Sequence, residues 1–221
     1  MKTLIINYKA YREGIDSCLD IARTAHEAAL GHGVDVITAV PFTLCKEAAS
    51  AGKAIAQGMD TVEPGAATGH VSWYEIQKAG CIGSLINHAE NRIAAEEVRR
   101  TVEICRANSL LSYVCVANME EAREVSQMNP TAISYEPVEL IGSAMKGGAS
   151  VATADASAVK KFTDLVHGYS GSLALIGAGI KNADDVRKSV ELGSDGILVS
   201  SVVMKGDFRS KIDELAGSLV G

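Results

Sequence analysis

The chain has 221 residues, of which 47% are hydrophobic and 22% charged, a composition that is ordinary for a globular protein and excludes a disordered one. Its formal net charge of −6 argues against a dedicated nucleic-acid or anionic-membrane binder, because such proteins concentrate Lys and Arg on one face. The five cysteines are scattered and contain no CxxC pair, so neither a disulfide framework nor a zinc site is predicted, and a reducing cytoplasm is expected. No apolar stretch approaches the roughly 18 residues that a membrane span requires.

Short apolar runs alternate with longer amphipathic segments along the whole chain. Most of the runs are continuously apolar, which is typical of strands covered on both faces in a parallel sheet. The predicted strands are residues 3–8, 34–40, 53–58, 82–87, 110–116, 131–136, 173–178 and 196–201.

Helical periodicity fills the intervals between these strands. Apolar residues recur at helical spacing within 15–29, 94–105, 159–166 and 212–219, and more weakly within 42–51 and 72–79. Asn182 followed by Asp185 predicts the start of a further helix with a capping box, and Gly193 predicts its end.

Two architectures accommodate eight strands that alternate with helices: a closed barrel and an open, doubly wound sheet. The first strand is not followed by a GxGxxG sequence, and the spacing of the elements stays nearly regular. We therefore predict an α/β protein with one domain, residues 1–221, folded as a closed (β/α)8 TIM barrel.

Polar residues follow several of the predicted strands at the point where each strand ends. Asn7 and Lys9 end the first strand, His88 the fourth and Glu136 the sixth. Each has a plain structural explanation when taken alone, as a solvated lysine, a structural histidine or a turn carboxylate before proline. Because the carboxyl ends of barrel strands surround a single pocket, their coincidence predicts an active site there.

The same stretches carry a family resemblance that extends over almost the whole chain. In order, NYKAY (7–11), GAATGHVS (65–72), NHAENR (87–92), YEPVELIG (135–142), GAGI (177–180) and GILVSS (196–201) resemble the triosephosphate isomerase family in its short archaeal form. The resemblance implies a cytoplasmic isomerase of glycolysis and gluconeogenesis that interconverts dihydroxyacetone phosphate and glyceraldehyde 3-phosphate through an enediolate. It implies neither a metal nor an organic cofactor.

The resemblance also implies roles for the polar residues. Glu136 corresponds to the base that moves the proton, and His88 to the neutral electrophile, kept neutral by a short helical turn that begins at the histidine. Lys9 corresponds to the cation that stabilises the oxyanion and attracts the substrate. Asn7 corresponds to a donor to the substrate oxygens, and Glu90 to the carboxylate that pairs with Lys9.

Substrate-phosphate binding and assembly are implied in the same way. Gly179, Ser200 and Ser201 correspond to the phosphate loops after the last two strands, and Ile141 and Gly142 to a lid after the sixth. Thr68 corresponds to a loop residue that reaches a neighbouring subunit, so a homodimer or homotetramer is expected, without nucleic-acid or membrane partners.

The chain departs from the family pattern at several positions. Ala89 stands where a serine usually follows the histidine, and Ser200 and Ser201 stand where small residues such as Gly-Gly are commoner. The segment after Gly142 contains a Gly-Gly pair that is unusual for the lid.

Two other functions remain open at this stage. A Schiff-base aldolase would use Lys9 as a nucleophile, although such enzymes place that lysine on later strands. A sugar-phosphate binder without turnover would retain the pocket alone. Borohydride trapping on Lys9 tests the first, and an assay of isomerase activity tests the second.

Overall fold

Eight parallel strands close into a barrel in the order of the chain. The computed structural model describes residues 1–137, 152 and 155–221. The strands are β1 (Thr3–Asn7), β2 (Asp35–Val40), β3 (Lys53–Ala56), β4 (Gly83–Ile86), β5 (Leu111–Val116), β6 (Ala132–Tyr135), β7 (Leu173–Ile176) and β8 (Gly196–Val199).

Closure is made by the pairing of the last strand with the first. Residues 3–6 of β1 pair in parallel with 196–199 of β8, and 3–7 pair with 35–39 of β2. The structure therefore confirms the predicted closed barrel and excludes the open sheet.

The helices lie between successive strands and, toward the end of the chain, after β8. They are α1 (Arg12–Asp16), α2 (Cys18–His32), α3 (Cys45–Ala49), α4 (Trp73–Lys78), α5 (Ala95–Ala107), α6 (Met119–Met128), α7 (Ala156–Tyr169), α8 (Ala183–Glu191), α9 (Ser201–Met204) and α10 (Phe208–Gly217), and a 3₁₀ turn at Phe42–Leu44 precedes α3. None of the helices in the described ranges combines the length and the apolar character needed to cross a bilayer.

Besides shifts of a few residues at element ends, two helices differ from the sequence prediction in their local structure. The first helical segment is broken at Ser17, so Ile15 lies on the separate helix α1 and is exposed. At α8, the Asn182 side chain accepts the Asp185 N–H as predicted, but the Asp185 carboxylate accepts from the Lys181 N–H instead of completing a capping box. The aspartate side chain is one methylene shorter than the glutamate that usually closes this box.

The apolar residues form two concentric cores. Side chains of successive strand residues point to opposite faces, so Leu4 and Ile6 pack outward against the helices while Ile5 points into the barrel. The interior is filled mainly by Ile5, Ile37, Ile55, Leu85, Tyr113, Cys115, Leu175 and Leu198. This packed interior leaves the carboxyl ends of the strands as the place where polar side chains can gather.

Candidate active site

The carboxyl ends of the strands surround one cavity. Lys9, His88 and Glu136 line it together with Gly179, Ser200 and Ser201. A second cavity adjoins it through Lys9 and His88 and is lined by Asn7 and Glu90. The structure thus brings together the described residues predicted for catalysis and substrate binding, although they come from distant segments.

Lys9 holds an unusual backbone conformation directly after β1. Its φ of 49° lies in the left-handed region, which costs free energy for a residue with a side chain. The Lys9 N–H donates to Asn7 Oδ1 at 2.9 Å, and the Lys9 carbonyl accepts from Gln57 Nε2 at 3.0 Å. These two bonds fix the direction in which the Lys9 side chain leaves the barrel.

Gln57 is a site residue that the sequence analysis missed. Besides the Lys9 carbonyl, its Nε2 lies 3.1 Å from Asn7 Oδ1 and 3.2 Å from the Ala39 carbonyl oxygen. Because Asn7 accepts these bonds through Oδ1, its Nδ2 amide is the group that remains to donate to a substrate. The signal in the sequence is a polar residue directly after the apolar run of β3, at the same strand end as the predicted residues.

The Lys9 ammonium is paired with Glu90. Nζ and Oε1 lie 2.7 Å apart, and the Glu90 side chain is 54% exposed. Such a solvated pair contributes little to stability, so Lys9 can exchange this partner for a substrate oxygen at small cost.

The backbone around His88 fixes the state of its ring. The Glu90 N–H donates to His88 Nδ1 at 3.1 Å, so Nδ1 carries a lone pair and the proton of the neutral ring sits on Nε2. The Asn91 N–H donates to the His88 carbonyl at 2.8 Å, so a single turn begins at the histidine. This turn does not continue into a helix, because α5 begins only at Ala95.

Asn87, directly before the histidine, is a second residue that the sequence analysis missed. It has a φ of 62°, its Nδ2 donates to the Cys115 carbonyl at 3.1 Å, and its Oδ1 accepts from the Ile93 N–H at 3.1 Å. Asparagine tolerates the left-handed region better than most residues, so it can turn the chain at this strand end. Asn87 therefore anchors both sides of the His88 loop.

The Glu136 carboxylate is buried in the wall of the cavity. The residue is 2% exposed, and its Oε2 lies 3.6 Å from His88 Nε2. Burial raises the pKa of the Glu136 carboxyl, while His88, the Cys115 thiol, Lys9 and the Ser134 hydroxyl oppose that rise. A carboxyl with a raised pKa is better matched to accepting and returning a proton near neutral pH.

Small residues and an unpartnered hydroxyl lie at the other end of the cavity. Gly179 has a φ of 76°, a conformation that glycine adopts without strain. Ser200 Oγ is buried and has no hydrogen-bond partner among the described residues. Ser201 begins the short helix α9, whose first N–H groups have no acceptor within the helix, and Ser201 and Val202 both line the cavity.

Of the predicted residues that the structure describes, Thr68 lies away from this cavity. Thr68 is exposed and lines a separate cavity formed by its own loop, together with residues such as Glu63 and Tyr74. Ile141 and Gly142 lie outside the described residues.

The potential metal ligands in the described ranges do not form a metal site. Within them, no cluster of three or more His, Cys, Asp or Glu residues is arranged to hold an ion. All five cysteines lie in these ranges, and each is buried with a free thiol.

Fold and site together define a barrel enzyme that performs acid–base chemistry on a small anionic molecule, because a buried carboxylate, an imidazole and an ammonium group line one cavity. Residues 2–215 match the family model described as triosephosphate isomerase. The chain belongs to the triosephosphate isomerase family.

Curated relatives agree with this assignment. The chain is 36% identical to the triosephosphate isomerase of Methanopyrus kandleri over 98% of its own length and 97% of that protein. It is 36% identical to that of Caldivirga maquilingensis over 99% of this chain and 97% of that protein. A match with that of Thermoplasma volcanium reaches 43% identity over 67% of this chain and 68% of the relative. The family, the barrel and the isomerase class predicted from the sequence are confirmed, and the aldolase and binder alternatives lose their support.

Proposed function

We propose that this chain interconverts dihydroxyacetone phosphate and glyceraldehyde 3-phosphate, with Glu136 as the base that removes a proton from one carbon and returns it to the neighbouring carbon. The observation that carries the proposal is the juxtaposition of Glu136 Oε2 and His88 Nε2, 3.6 Å apart in the wall of one cavity. An enediolate mechanism requires a base and an electrophile that can both reach one bound substrate, the base at its carbons and the electrophile at its carbonyl oxygen.

His88 acts in this proposal as a neutral hydrogen-bond donor. Because its Nδ1 accepts the Glu90 N–H, its Nε2–H is the group available to polarise the substrate carbonyl. Lys9 stabilises the developing oxyanion and attracts the phosphorylated substrate, and the Asn7 amide adds a further donor.

The phosphate group binds at the far end of the cavity in this proposal. Support comes from the absence of a side chain at Gly179, the unpartnered Ser200 hydroxyl and the amide groups at the start of α9 near Ser201. A phosphate oxygen would give the Ser200 hydroxyl the partner it lacks among the described residues. Ile141 and Gly142 remain predicted lid residues.

We further infer that residues 1–221 act as one domain within a homodimer or homotetramer in the cytoplasm. The exposed Thr68 loop offers a surface for a neighbouring subunit, and five buried thiols suit a reducing compartment. Light scattering of the purified protein tests the assembly, since a monomer at all concentrations would contradict it.

The proposed base is tested by measuring isomerisation in a coupled assay with glyceraldehyde 3-phosphate. Glu136→Gln keeps the shape of the side chain but removes the proton acceptor, so kcat is expected to fall by roughly 10²–10⁴-fold while KM changes little. Glu191→Gln, which changes an exposed helix carboxylate, serves as the matched control. Near-normal turnover in Glu136→Gln would overturn the assignment.

A further inference from the structure

The two oxygens of the Glu136 carboxylate have different surroundings. Oε1 accepts hydrogen bonds from Ser134 Oγ at 3.3 Å and from Cys115 Sγ at 3.2 Å, whereas Oε2 lies 3.6 Å from His88 Nε2. One oxygen is therefore held by the barrel interior, and the other is on the side of the cavity where His88 lies.

Strand geometry explains why Ser134 reaches the carboxylate. Residues two apart on a strand share a face, and Ala132 belongs to the inner core. Ser134 therefore lies on the inner face of β6, and Glu136, directly after the strand, continues the same side. In the register of β5 and β6, Cys115 is the partner of Ser134. The two donors are thus neighbours in one layer of the barrel, below the carboxylate.

Gly177 completes the enclosure on the side of β7. A Cβ atom at this position would lie 2.5 Å from Ser134 Oγ, 2.5 Å from Glu136 Cγ and 2.6 Å from Glu136 Oε1. The space that a side chain would fill is taken up by the carboxylate and the hydroxyl. Ser134, Cys115 and Gly177 together form what we call the Oε1 cradle.

Within this cradle, Ser134 supplies a hydroxyl donor and Cys115 a thiol donor to the same carboxylate oxygen. A hydroxyl donates a stronger hydrogen bond than a thiol, and a bond to an ionised acceptor is stronger than one between neutral groups. Ser134 is 1% exposed, and the carboxylate oxygen satisfies a hydroxyl whose burial would otherwise be costly.

We propose that Ser134 is a positioning residue for the isomerisation: its hydroxyl holds Oε1 of Glu136, so that Oε2 is the oxygen that takes up and returns the proton. The proposal rests on the proposed role of Glu136 as the base. A side chain with two equivalent oxygens and several rotamers is thereby held with one oxygen directed at the substrate, which lowers the entropic cost of the reactive arrangement.

The hydroxyl also affects the protonation of the base. Among the described residues, the ionisable groups that face Glu136 are Cys115 from β5, His88 from the loop after β4 and Lys9 from the loop after β1. Burial raises the pKa of Glu136, and the Ser134 hydrogen bond is one of the contributions that lower it. Without the hydroxyl, the pKa of Glu136 moves further up, so the acid limb of the kcat/KM profile moves to higher pH.

The test is the pH dependence of kcat and kcat/KM for Ser134→Ala and Ser134→Cys. For Ser134→Ala we expect kcat on the plateau to fall about 10-fold, KM to change by less than about twofold, and the acid limb to shift to higher pH. Ser134→Cys retains a weaker donor, so its limb is expected between those of the wild type and Ser134→Ala.

The control variant is Ser112→Ala. Ser112 is a buried serine at the other end of the barrel wall, on β5, where its hydroxyl accepts from the Thr131 N–H at 3.2 Å. Ser112→Ala removes a buried hydroxyl that does not contact Glu136, so the acid limb of its kcat/KM profile is expected at the same pH as that of the wild type.

The outcomes separate this inference from the proposed function. An unshifted limb and normal kcat in Ser134→Ala, alongside an inactive Glu136→Gln, would overturn the role of Ser134 and leave the base assignment intact. If Ser134→Ala does not fold, the test is the acid limb of the kcat/KM profile of Ser134→Cys. A limb at the same pH as that of the wild type would overturn the proposal. An active Glu136→Gln instead removes the proposed function itself.

Discussion

Glu136 illustrates how a functional residue works against the stability of its own fold. The carboxyl is buried in the wall of the cavity, and burial raises its pKa because water no longer solvates the charge. His88, Lys9 and hydrogen bonds from Cys115 and Ser134 offset part of this cost. The arrangement suits a base that gains and loses a proton in each turnover.

This cost predicts a pH-dependent stability difference for Glu136→Gln. Between the ordinary carboxyl pKa of the unfolded chain and the raised pKa of the folded one, the folded state binds more protons, so the free energy of unfolding falls as pH rises. Glutamine does not titrate, so the variant is expected to melt a few degrees above the wild type at neutral pH, and this advantage is expected to shrink in acid.

Glu75 serves as a control because its pKa is shifted in the opposite direction from that of Glu136. Hydrogen bonds from the Ser72 backbone and hydroxyl lower the pKa of Glu75. Its ionised form therefore contributes stability that is present above the ordinary carboxyl pKa and is lost as the pH falls through the lowered value. Glu75→Gln is expected to melt below the wild type at neutral pH, and thermal melts across pH check both variants. A Glu136→Gln melting difference that does not change with pH would contradict the account.

Among the elements, β4 and β8 begin at glycines because the neighbouring strand approaches closely. A Cβ atom on Gly196 would lie 2.0 Å from the Thr3 carbonyl oxygen, and one on Gly83 would lie 2.1 Å from the Leu111 carbonyl oxygen. Both contacts involve backbone atoms, which cannot move without shifting the strand pairing that closes the barrel.

Gly196→Ala is therefore expected to lower the free energy of unfolding by about 1–3 kcal/mol. The matched control is Gly31→Ala in helix α2, where the added Cβ meets nothing within 4 Å, and a gain of about 0.5 kcal/mol is expected from the higher helix propensity of alanine. Chemical denaturation of the two variants measures both effects. A Gly196→Ala variant with the same free energy of unfolding as the wild type would show that the strands accommodate the added Cβ at no cost.

Also at the scale of elements, the sequence predicts the strands more fully than it predicts the contacts between them. Continuous apolar runs identify β1 to β8, because a strand that is buried on both faces consists mostly of apolar residues. Ser134 and Cys115 escape notice because their importance depends on the register between β5 and β6, which joins residues distant in the chain. Counting two residues back from Glu136 on the strand would have found Ser134, since both share a face.

For the whole molecule, the closed topology converts a linear pattern into a site. Asn7, Lys9, His88 and Glu136 are predictable because each is a polar residue directly after a buried run, and closure alone gathers them at one mouth. Gln57 follows β3 in the same way, but its three hydrogen bonds to the β1 and β2 ends are visible only in three dimensions. Ser200, which departs from the family pattern, also lies at this cavity because the barrel closes. Its hydroxyl is buried without a partner among the described residues.

The most direct test of the central claim is a crystal structure of the protein with a phosphorylated, planar enediolate analogue. The analogue is expected to contact both Glu136 and His88 from the cavity side, with one Glu136 oxygen against its carbons and His88 Nε2 against an oxygen. Its phosphate is expected beside Gly179 and the Ser200 hydroxyl. An analogue bound elsewhere, or a Glu136 carboxylate turned away from it, would contradict the account.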